Sequence, residues 1–364
     1  MVKTLLKTVL AGLACYSGAL RLLALMRRTV FGSDGCIILT YHRVIPRNAG
    51  CHTAETWELF PSLPSIIVSP ETFQEQIRFL STRYVVLSLD ELVSRLEQGK
   101  EIPPKSVVIT FDDGWRDNFV YALPVLKKYG VPATIFLATG LVGTRRLFWP
   151  EKVIWLLSRR SRSRTDASAI PADLASGSLR RLLDRISMHP DGSTNEALTE
   201  LIEAMKIMLP HQRGAFMEHL AGGKRSDPEP AGDTRTILSW NEVIAMQEAG
   251  IRFGSHGINH EILTRIDHRA RATELQDSKR TIEERIGQPT LAFAYPNGDF
   301  DAQVREEAAA AGYRCALGTR PGQTRSGSDL FALKRINIHD GSSRGPRGGF
   351  SPARFAWHIE GRFD

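Results

Sequence analysis

Two adjacent carboxylates and a distant pair of histidines are the residues whose type and spacing could do chemistry in this chain. Asp112 and Asp113 directly follow an apolar, β-branched run at 107–109 that predicts a buried strand. His256 and His260 stand four positions apart after a shorter apolar strand, and this is a spacing typical of metal ligands. Adjacent aspartates at a strand end point in different directions, so one can bind a metal while the other transfers a proton. Together the two groups indicate a hydrolytic metal site, although each alone is a weak signal.

These polar residues, and also His42 and Asn297, lie at or just beyond the ends of predicted strands. Apolar runs predict strands at 37–41, 84–87, 107–111, 133–137, 251–253, 291–295, 315–318 and 333–338. Helical patterns separate several of them, at 70–80, 89–98, 118–129, 240–249, 270–286 and 301–311. Such alternation indicates parallel βα units that close, or nearly close, into a barrel. The carboxyl ends of barrel strands share one face, where active sites are built, so we expect these side chains to meet there.

The segment at about 147–236 interrupts the alternation. It is predicted to be a helical insertion in a barrel domain that spans 34–340, because it carries two helical patterns, a run of arginines and a return rich in proline, glycine and aspartate. Three aromatic residues near its start, Phe148, Trp149 and Trp155, either pack the insertion against the barrel or line a binding groove.

Both ends of the chain have biased compositions. Residues 1–33 combine an apolar pattern with lysines and arginines, which predicts a basic amphipathic helix on a membrane surface or under the barrel. The apolar stretch is shorter than the ~20 residues of a spanning helix, and a cleaved secretory signal stays open as the alternative. We therefore expect a protein that is cytoplasmic or peripheral to the inner membrane. Residues 341–364 begin with a run rich in glycine and arginine, which predicts a flexible tail.

The composition favours a globular protein that approaches anionic surfaces. The 364 residues carry a formal net charge of +7, with a pI of about 9.3. No zinc knuckle, glycine-rich phosphate loop or aromatic-basic RNA motif accompanies this charge, so nucleic acid is rejected as a partner. The four cysteines, at 15, 36, 51 and 315, lack metal-binding spacing and predict free thiols in a reducing compartment.

Three motifs give the chain a resemblance to a known family. TFDDG at 110–114, HGINH at 256–260 and FAYPNG at 293–298 resemble, in that order, the first three motifs of the polysaccharide deacetylase family, the NodB-homology group of carbohydrate esterase family 4. The resemblance covers roughly 37–338 apart from the insertion. It implies a distorted (β/α)7-type barrel of the α/β class, and metal-dependent removal of acetyl groups from N-acetylated sugars.

The resemblance also implies a role for each motif residue. Asp113, His256 and His260 would bind a divalent metal, with zinc as the default, and three protein ligands leave positions for water and substrate. Asp112 would be the general base that takes a proton from the attacking water. The backbone N–H of Asn297 would stabilise the developing oxyanion, a contribution of about 3 kcal/mol.

The chain departs from the family pattern at two positions. Ala294 stands where many members have an arginine that steadies the catalytic aspartate, and Arg335 on a neighbouring predicted strand is a candidate replacement. The late Leu-x-His motif, whose histidine is the general acid in the family, has no clean match. His42 and His339 are the two candidates for that acid, and a structural role is an open alternative for Arg335 and for His42.

Three functions follow from these residues. The first is an N-deacetylase of an acetylated, GlcNAc-type oligosaccharide or polysaccharide such as an exopolysaccharide, a chitooligosaccharide or a cell-wall glycan. The second is a related C–N hydrolase, for instance a deformylase or deacetylase of a lipid-linked amino sugar, which the basic N-terminal segment favours. The third is an inactive glycan-binding homologue, favoured by Ala294 and the missing acid. A non-haem iron oxygenase is disfavoured, since paired aspartates have no role there.

Overall fold

The predicted strands form one curled sheet in which all described pairs of neighbouring strands are parallel. The structure is a computed structural model that describes residues 35–46, 63–160, 177–188, 195–221 and 235–361, together with the isolated Gly12. Its strands are β1 (Ile37–Tyr41), β2 (Arg43–Val44), β3 (Ile67–Val68), β4 (Val85–Leu87), β5 (Ser106–Phe111), β6 (Thr134–Leu137), β7 (Arg252–Ser255), β8 (Ala292–Ala294), β9 (Cys315–Leu317) and β10 (Ile336–Asn337).

The order of the strands is that of a distorted barrel. The sheet runs β10-β1-β5-β6-β7-β8-β9, β4 pairs with the first half of β5, and β2 and β3 form a separate pair. Leu333 forms a parallel bridge to Leu317 at the end of β9, so the segment leading into β10 links the two outer strands of the sheet. The predicted (β/α)7-type barrel is therefore confirmed. The parallel strands bring the residues that follow β1, β5, β7 and β8 to the same end of the sheet.

Twelve α-helices surround and extend the sheet within the described residues. They are α1 (Pro70–Arg83), α2 (Leu89–Glu97), α3 (Leu123–Tyr129), α4 (Trp149–Arg160), α5 (Gly177–Met188), α6 (Asn195–Lys206), α7 (Pro210–Leu220), α8 (Trp240–Glu248), α9 (His268–Ile286), α10 (Ala302–Ala310), α11 (Asp340–Ser343) and α12 (Pro352–Glu360). Side-chain caps begin several of them. Ser239 caps α8 and Asp301 caps α10, each by accepting a hydrogen bond from a backbone N–H in the first turn.

The helix predicted at 118–129 is divided in two. A π-helical turn at Asn118–Ala122 precedes α3, and the N–H of Leu123 donates to the carbonyl of Asn118. Pro124 follows, and since proline has no N–H to donate, the regular ladder cannot continue through this point. The turn places Asn118 against the exit of β1, where its side-chain amide donates to the carbonyl of His42 at 2.8 Å.

Helices α4 to α7 lie between β6 and α8 and form the segment predicted as an insertion. They share an apolar core of their own, which includes Leu156, Leu183, Leu201 and Phe216. Two of the four helices, α5 and α7, were not predicted. Helix α5 does show a helical period, with apolar residues at 179, 182, 183 and 186, and this spacing was overlooked. Helix α7 has no clear apolar face in the sequence, so periodicity could not predict it.

The chain beyond residue 340 is structured, and the prediction of a flexible tail is wrong for 341–361. Helices α11 and α12 flank a turn in which the N–H of Gly345 donates to the carbonyl of Gly349. Phe355 and Ile359 are buried because they lie four residues apart on one face of α12, which packs near α1. The glycine-rich run is therefore a connection between two helices, and the apolar spacing after it was overlooked.

Predictions for the N-terminus fall outside the described residues. The amphipathic helix at 1–33 cannot be compared with the structure, and neither can Cys15 or Cys51. Cys36 and Cys315 are buried free thiols, as predicted. Among the described residues, no helix has both the length and the apolar character needed to cross a membrane.

Candidate active site and metal centre

Seven of the eight predicted site residues line one cavity of about 320 Å³ at the carboxyl ends of the strands. The loops that leave β1, β5, β7 and β8, and the segment before β10, supply them: His42, Asp112, Asp113, His256, His260, Asn297 and Arg335. Residues up to 293 positions apart in sequence (42 to 335) thus meet because parallel strands end on one face.

Asp113, His256 and His260 form a candidate metal centre. Oδ1 of Asp113 lies 3.6 Å from Nε2 of His256 and 3.4 Å from Nε2 of His260, and the three ligand atoms lie within 4.8 Å of one another. Ligands at about 2.0–2.1 Å from a tetrahedral ion are separated by about 3.4 Å. One carboxylate and two imidazoles also suit zinc and related divalent ions. The residues therefore fit a divalent cation in both distance and chemistry.

The surroundings of the two imidazoles prepare them to bind a metal. Nδ1 of His256 lies 2.6 Å from the carbonyl of Ala294, so a proton on Nδ1 is shared with that carbonyl and Nε2 keeps its lone pair for an ion. Burial lowers the pKa of His256 and that of His260 to about 4. Both rings are consequently neutral at neutral pH, which is the form that coordinates a cation.

Asp113 is oriented by a buried chain of side chains that the sequence analysis did not find. Nε1 of Trp115 donates to Oδ2 of Asp113 at 2.8 Å, which leaves Oδ1 directed at the imidazoles. The guanidinium of Arg43 lies over the indole of Trp115 at 4.2 Å and donates from Nε to Asp117 at 3.0 Å. Arg43 and Trp115 are each 1% exposed. The tryptophan directly after the Asp-Asp-Gly turn was the visible signal, whereas nothing in the sequence linked Arg43 to Asp117.

The backbone around the ligands is held in a strained conformation. Asp113 has φ of 74° and His260 has φ of 58°, in the left-handed region that residues other than glycine rarely adopt. The carboxylate of Glu274, on α9, accepts hydrogen bonds from the backbone N–H groups of Ile258 at 2.5 Å and Asn259 at 3.1 Å. This buried carboxylate therefore fixes the loop between the two histidines, another role that sequence reasoning missed.

Asp112 is paired with Arg335 deep in the site. The guanidinium donates to Oδ1 at 2.7 Å and to Oδ2 at 2.8 Å, while its Nε donates to the carbonyl of Gly318. Burial acts to raise the pKa of Asp112, but the charge and hydrogen bonds of Arg335, together with His256 and His42, outweigh burial and hold that pKa well below its usual range. Arg335 thus pairs with Asp112, the carboxylate that an arginine in the third motif would support in the family. In this chain that motif position is Ala294.

The two candidates for the general acid are in different places. His42 lines the cavity, and its Nε2 lies 3.9 Å from Oδ2 of Asp112. His339 does not line the cavity, because its side chain instead caps α11 by accepting a hydrogen bond from the N–H of Gly341 at 3.1 Å. The structure therefore does not bring His339 to the site, and His42 is the predicted acid that it places there.

Asn297 lies in a short 3-10 turn directly after β8. Its φ is 61°, and its side chain donates to Asp299 at 2.9 Å. Gly298 follows with φ of 78°, and a Cβ at that position would lie 2.1 Å from the hydroxyl of Thr319, so only glycine fits. The turn brings Asn297 into the lining of the cavity, and its carbonyl accepts a hydrogen bond from Thr319 at 3.3 Å.

Part of the cavity wall comes from the helical insertion. Trp149 and Glu151 at the start of α4, with Ile202 and Lys206 on α6, line the same cavity as the strand-end residues. Phe148 connects this wall to the metal centre, since its ring meets that of His260 edge to face, with centroids 5.2 Å apart. The aromatic residues at the start of the insertion thus both pack on the barrel and line the cavity.

The parallel barrel and the Asp-His-His cluster together define the class of the protein, a barrel hydrolase with a candidate metal centre. The family model for polysaccharide deacetylases matches residues 99–167 and 211–316, and the chain belongs to that family of hydrolases acting on carbon–nitrogen bonds. The resemblance inferred from the three motifs is therefore confirmed.

Two relatives show how far the similarity extends. YxkH of Bacillus subtilis (strain 168), which is named as a polysaccharide deacetylase, is 24% identical over 280 residues, or 77% of this chain and 68% of the relative. The poly-β-1,6-N-acetyl-D-glucosamine N-deacetylase of Staphylococcus aureus (strain MSSA476) is 32% identical over 118 residues, which is 32% of this chain and 40% of that enzyme.

A solved structure has the same fold. The Streptococcus pyogenes deacetylase PplD, determined in complex with acetate, superposes with a TM-score of 0.54. The alignment covers 90% of this chain and 97% of that chain at 19% identity, which supports the fold alone.

Proposed function

We propose that this protein is a metal-dependent N-deacetylase of GlcNAc-type oligosaccharides or polysaccharides. One observation carries the proposal: the ligand atoms of Asp113, His256 and His260 meet at the spacing of a tetrahedral site, directly beside the ionised Asp112. The acetyl group is the acyl group to which the family resemblance points, and the staphylococcal relative carries an N-acetylglucosamine polymer in its name.

The three ligands would hold the cation and leave the rest of its coordination open. A bound divalent cation supplies Lewis acidity, which lowers the pKa of water toward ~7 and polarises an amide carbonyl. Zinc is the default for this donor set. Trp115 keeps one oxygen of Asp113 occupied, so the carboxylate offers a single atom to the ion.

The remaining residues would move protons and stabilise charge. Asp112 takes a proton from the attacking water, whose oxygen bonds to the acetyl carbon. His42 gives a proton to the amide nitrogen as the carbon–nitrogen bond breaks, so that acetate and a free amine are released. The backbone N–H of Asn297 donates to the oxyanion that develops in between, a contribution of about 3 kcal/mol. Arg335 holds Asp112 in its ionised form.

The test is a metal analysis combined with an acetate-release screen. Wild type and His256→Ala are assayed on β-1,4- and β-1,6-linked N-acetylglucosamine oligomers and on their N-formyl analogues. We expect about one divalent ion per wild-type chain, acetate from at least one oligomer, and loss of both in the variant. Formate without acetate would support the deformylase instead. Metal-loaded wild type that releases neither acid would contradict the proposal and favour a glycan-binding homologue.

We also propose a peripheral association with membranes, which rests on the sequence of residues 1–33 and on the net charge of +7. Sedimentation of the full chain with vesicles containing anionic lipid tests it. Binding that disappears with neutral vesicles or at high salt is the expected result. Equal recovery in the supernatant with both vesicle types would contradict it.

A further inference from the structure

The catalytic cavity has two chemically different walls. The barrel wall carries the ligands, the base and the candidate acid. The insertion wall, defined here as Trp149, Glu151, Ile202 and Lys206, is built by α4 and α6 and combines an indole, an aliphatic side chain, a carboxylate and an ammonium.

The reaction itself does not need the insertion wall. Hydrolysis of an acetamide requires a positioned water, a base, an acid and a donor for the oxyanion, and the strand ends supply candidates for all of these. The insertion wall lines the same cavity, so it is available to a part of the substrate that extends beyond the acetamide.

We propose that the insertion wall is a subsite for the sugar unit next to the one that is deacetylated, so that the substrate is an oligosaccharide and not a single amino sugar. The inference rests on the proposed function. A pyranose ring has C–H faces that pack on an indole and hydroxyl groups around its edge that hydrogen-bond to charged side chains. An indole and an aliphatic residue beside one carboxylate and one ammonium match that pattern.

Trp149 is held in place before any substrate arrives. The guanidinium of Arg213, on α7, lies 4.8 Å from the centre of the indole, and Arg213 is paired with Glu261, the residue after the ligand His260. Arg213 is 2% exposed, so its position is fixed by the surrounding protein. A platform that is already ordered loses little conformational freedom when a ligand binds.

Lys206 has the geometry to bind hydroxyl groups. It follows Ile202 by one helical turn, which places both on one face of α6. Its ammonium lies 2.6 Å from Glu203, and that contact uses one of its three N–H donors. The presence of two charged side chains in the wall argues against a purely apolar occupant such as a long acyl chain.

The experiment compares substrates of different length. The ratio of kcat/KM for an N-acetylglucosamine tetrasaccharide, of whichever linkage the wild type accepts, to that for the monosaccharide is measured for wild type, Trp149→Ala, Lys206→Met and Trp357→Ala. Trp357 is a partly exposed tryptophan on α12, which makes it the matched control for tryptophan removal. We expect a high ratio in wild type and in the control, a fall of about tenfold or more in Trp149→Ala, and a smaller fall in Lys206→Met.

Each outcome decides the question. A ratio that is unchanged in both variants overturns the subsite. An N-hexanoyl monosaccharide is assayed in parallel. If the variants lose kcat/KM only on that substrate, the wall is an acyl pocket, and this result also overturns the subsite. Thermal unfolding reports whether Trp149→Ala is folded, and Lys206→Met carries the test if it is not. If wild type releases no acetate at all, the proposed function fails, and calorimetric binding of tetrasaccharide against monosaccharide to wild type and Lys206→Met then decides the subsite separately.

Discussion

The two oxygens of Asp113 have separate partners, and this division determines what the residue can do. Oδ1 faces both imidazoles, while Oδ2 accepts the hydrogen bond from Trp115 at 2.8 Å. A carboxylate with one oxygen already bonded offers the other alone to a cation. Three single-atom ligands leave room in a four-coordinate shell, which is the arrangement of catalytic rather than structural sites.

Replacing Trp115 with phenylalanine should weaken metal binding. Trp115→Phe keeps the ring in the buried site but removes the N–H, so Asp113 loses its orientation. We expect the affinity for zinc to fall by about 10- to 100-fold, measured by competition with a chromophoric chelator. Trp240→Phe, a change on α8 away from the cavity, is the control. If Trp115→Phe and Trp240→Phe bind zinc with the same affinity, Trp115 does not position the metal-binding oxygen of Asp113.

Replacing Arg335 with methionine should move the pH profile. Burial, no longer opposed by the guanidinium, raises the pKa of Asp112 in Arg335→Met. Because the base must be ionised, the acid limb of kcat/KM moves to higher pH than in wild type. The variant should also be about 3–5 kcal/mol less stable at neutral pH, since a buried carboxylate is left without its partner.

The control for that change is Arg335→Lys, which keeps a positive charge but only one point of contact. Its acid limb should lie between those of wild type and Arg335→Met. An acid limb that is the same in all three proteins would show that Asp112 is not the titrating base.

At the scale of elements, α9 supports the loop that leaves β7. Glu274 accepts the backbone N–H groups of Ile258 and Asn259, and a Cβ on Gly257 would lie 2.5 Å from the same carboxylate. Gly257 itself has φ of 80°. The loop can therefore adopt this path only with glycine at 257 and a hydrogen-bond acceptor at 274. Neither residue is itself a candidate metal ligand.

Replacing Glu274 with glutamine should loosen this loop. In Glu274→Gln the remaining oxygen can still accept from both backbone N–H groups, but the negative charge that strengthens those hydrogen bonds is lost, and the new N–H₂ group cannot accept from the side-chain amide of Asn259. We expect a loss of about 1–3 kcal/mol in the free energy of unfolding and weaker zinc binding. Denaturant titration and a chelator competition measure the two effects. Glu284→Gln, at an exposed position on the same helix, should change neither.

The sequence predicted the elements that are marked by local chemistry. Short apolar runs located every barrel strand, and the spacing of Asp112, Asp113, His256 and His260 predicted the residues that the fold brings together. The contacts of Trp115 and Glu274 were not predictable, because they join residues through the tertiary fold and leave no periodic trace. The π-helical turn at 118–122 was missed because one proline, Pro124, interrupts an otherwise regular helical pattern. Helix α12 was missed because its buried apolar pair at 355 and 359 follows a run rich in glycine and arginine that is typical of a flexible segment.

At the scale of the whole molecule, the candidate metal centre joins distant parts of the barrel. Asp113 follows β5, the histidines follow β7, and β6 lies between those strands in the sheet. A cation bound by all three side chains would tie these two strand exits together. Since the unfolded chain has no such site, binding stabilises the folded state by about 4 kcal/mol at a free metal concentration 1,000 times Kd.

Stability should therefore depend on metal and pH together. Burial holds the pKa values of His256 and His260 at about 4, below the ~6.5 of the unfolded chain. The unfolded state of the metal-free protein then takes up protons first, so its stability falls as pH drops from 6.5 toward 4. Zinc should raise Tm at pH 7 and lose this effect near pH 4, as the rings protonate. Calorimetry with zinc and with chelator measures both. A Tm unaffected by zinc at pH 7 would contradict the site.

The position of Arg335 has a consequence for how related genes are judged. The guanidinium that pairs with Asp112, the proposed base, comes from Arg335 late in the chain instead of from the third motif, where Ala294 contributes only its backbone carbonyl. A sequence screen that requires arginine in the third motif would classify such a protein as an inactive homologue. A screen that asks whether a positively charged side chain at any strand end pairs with the first aspartate of the TFDDG motif would retain it.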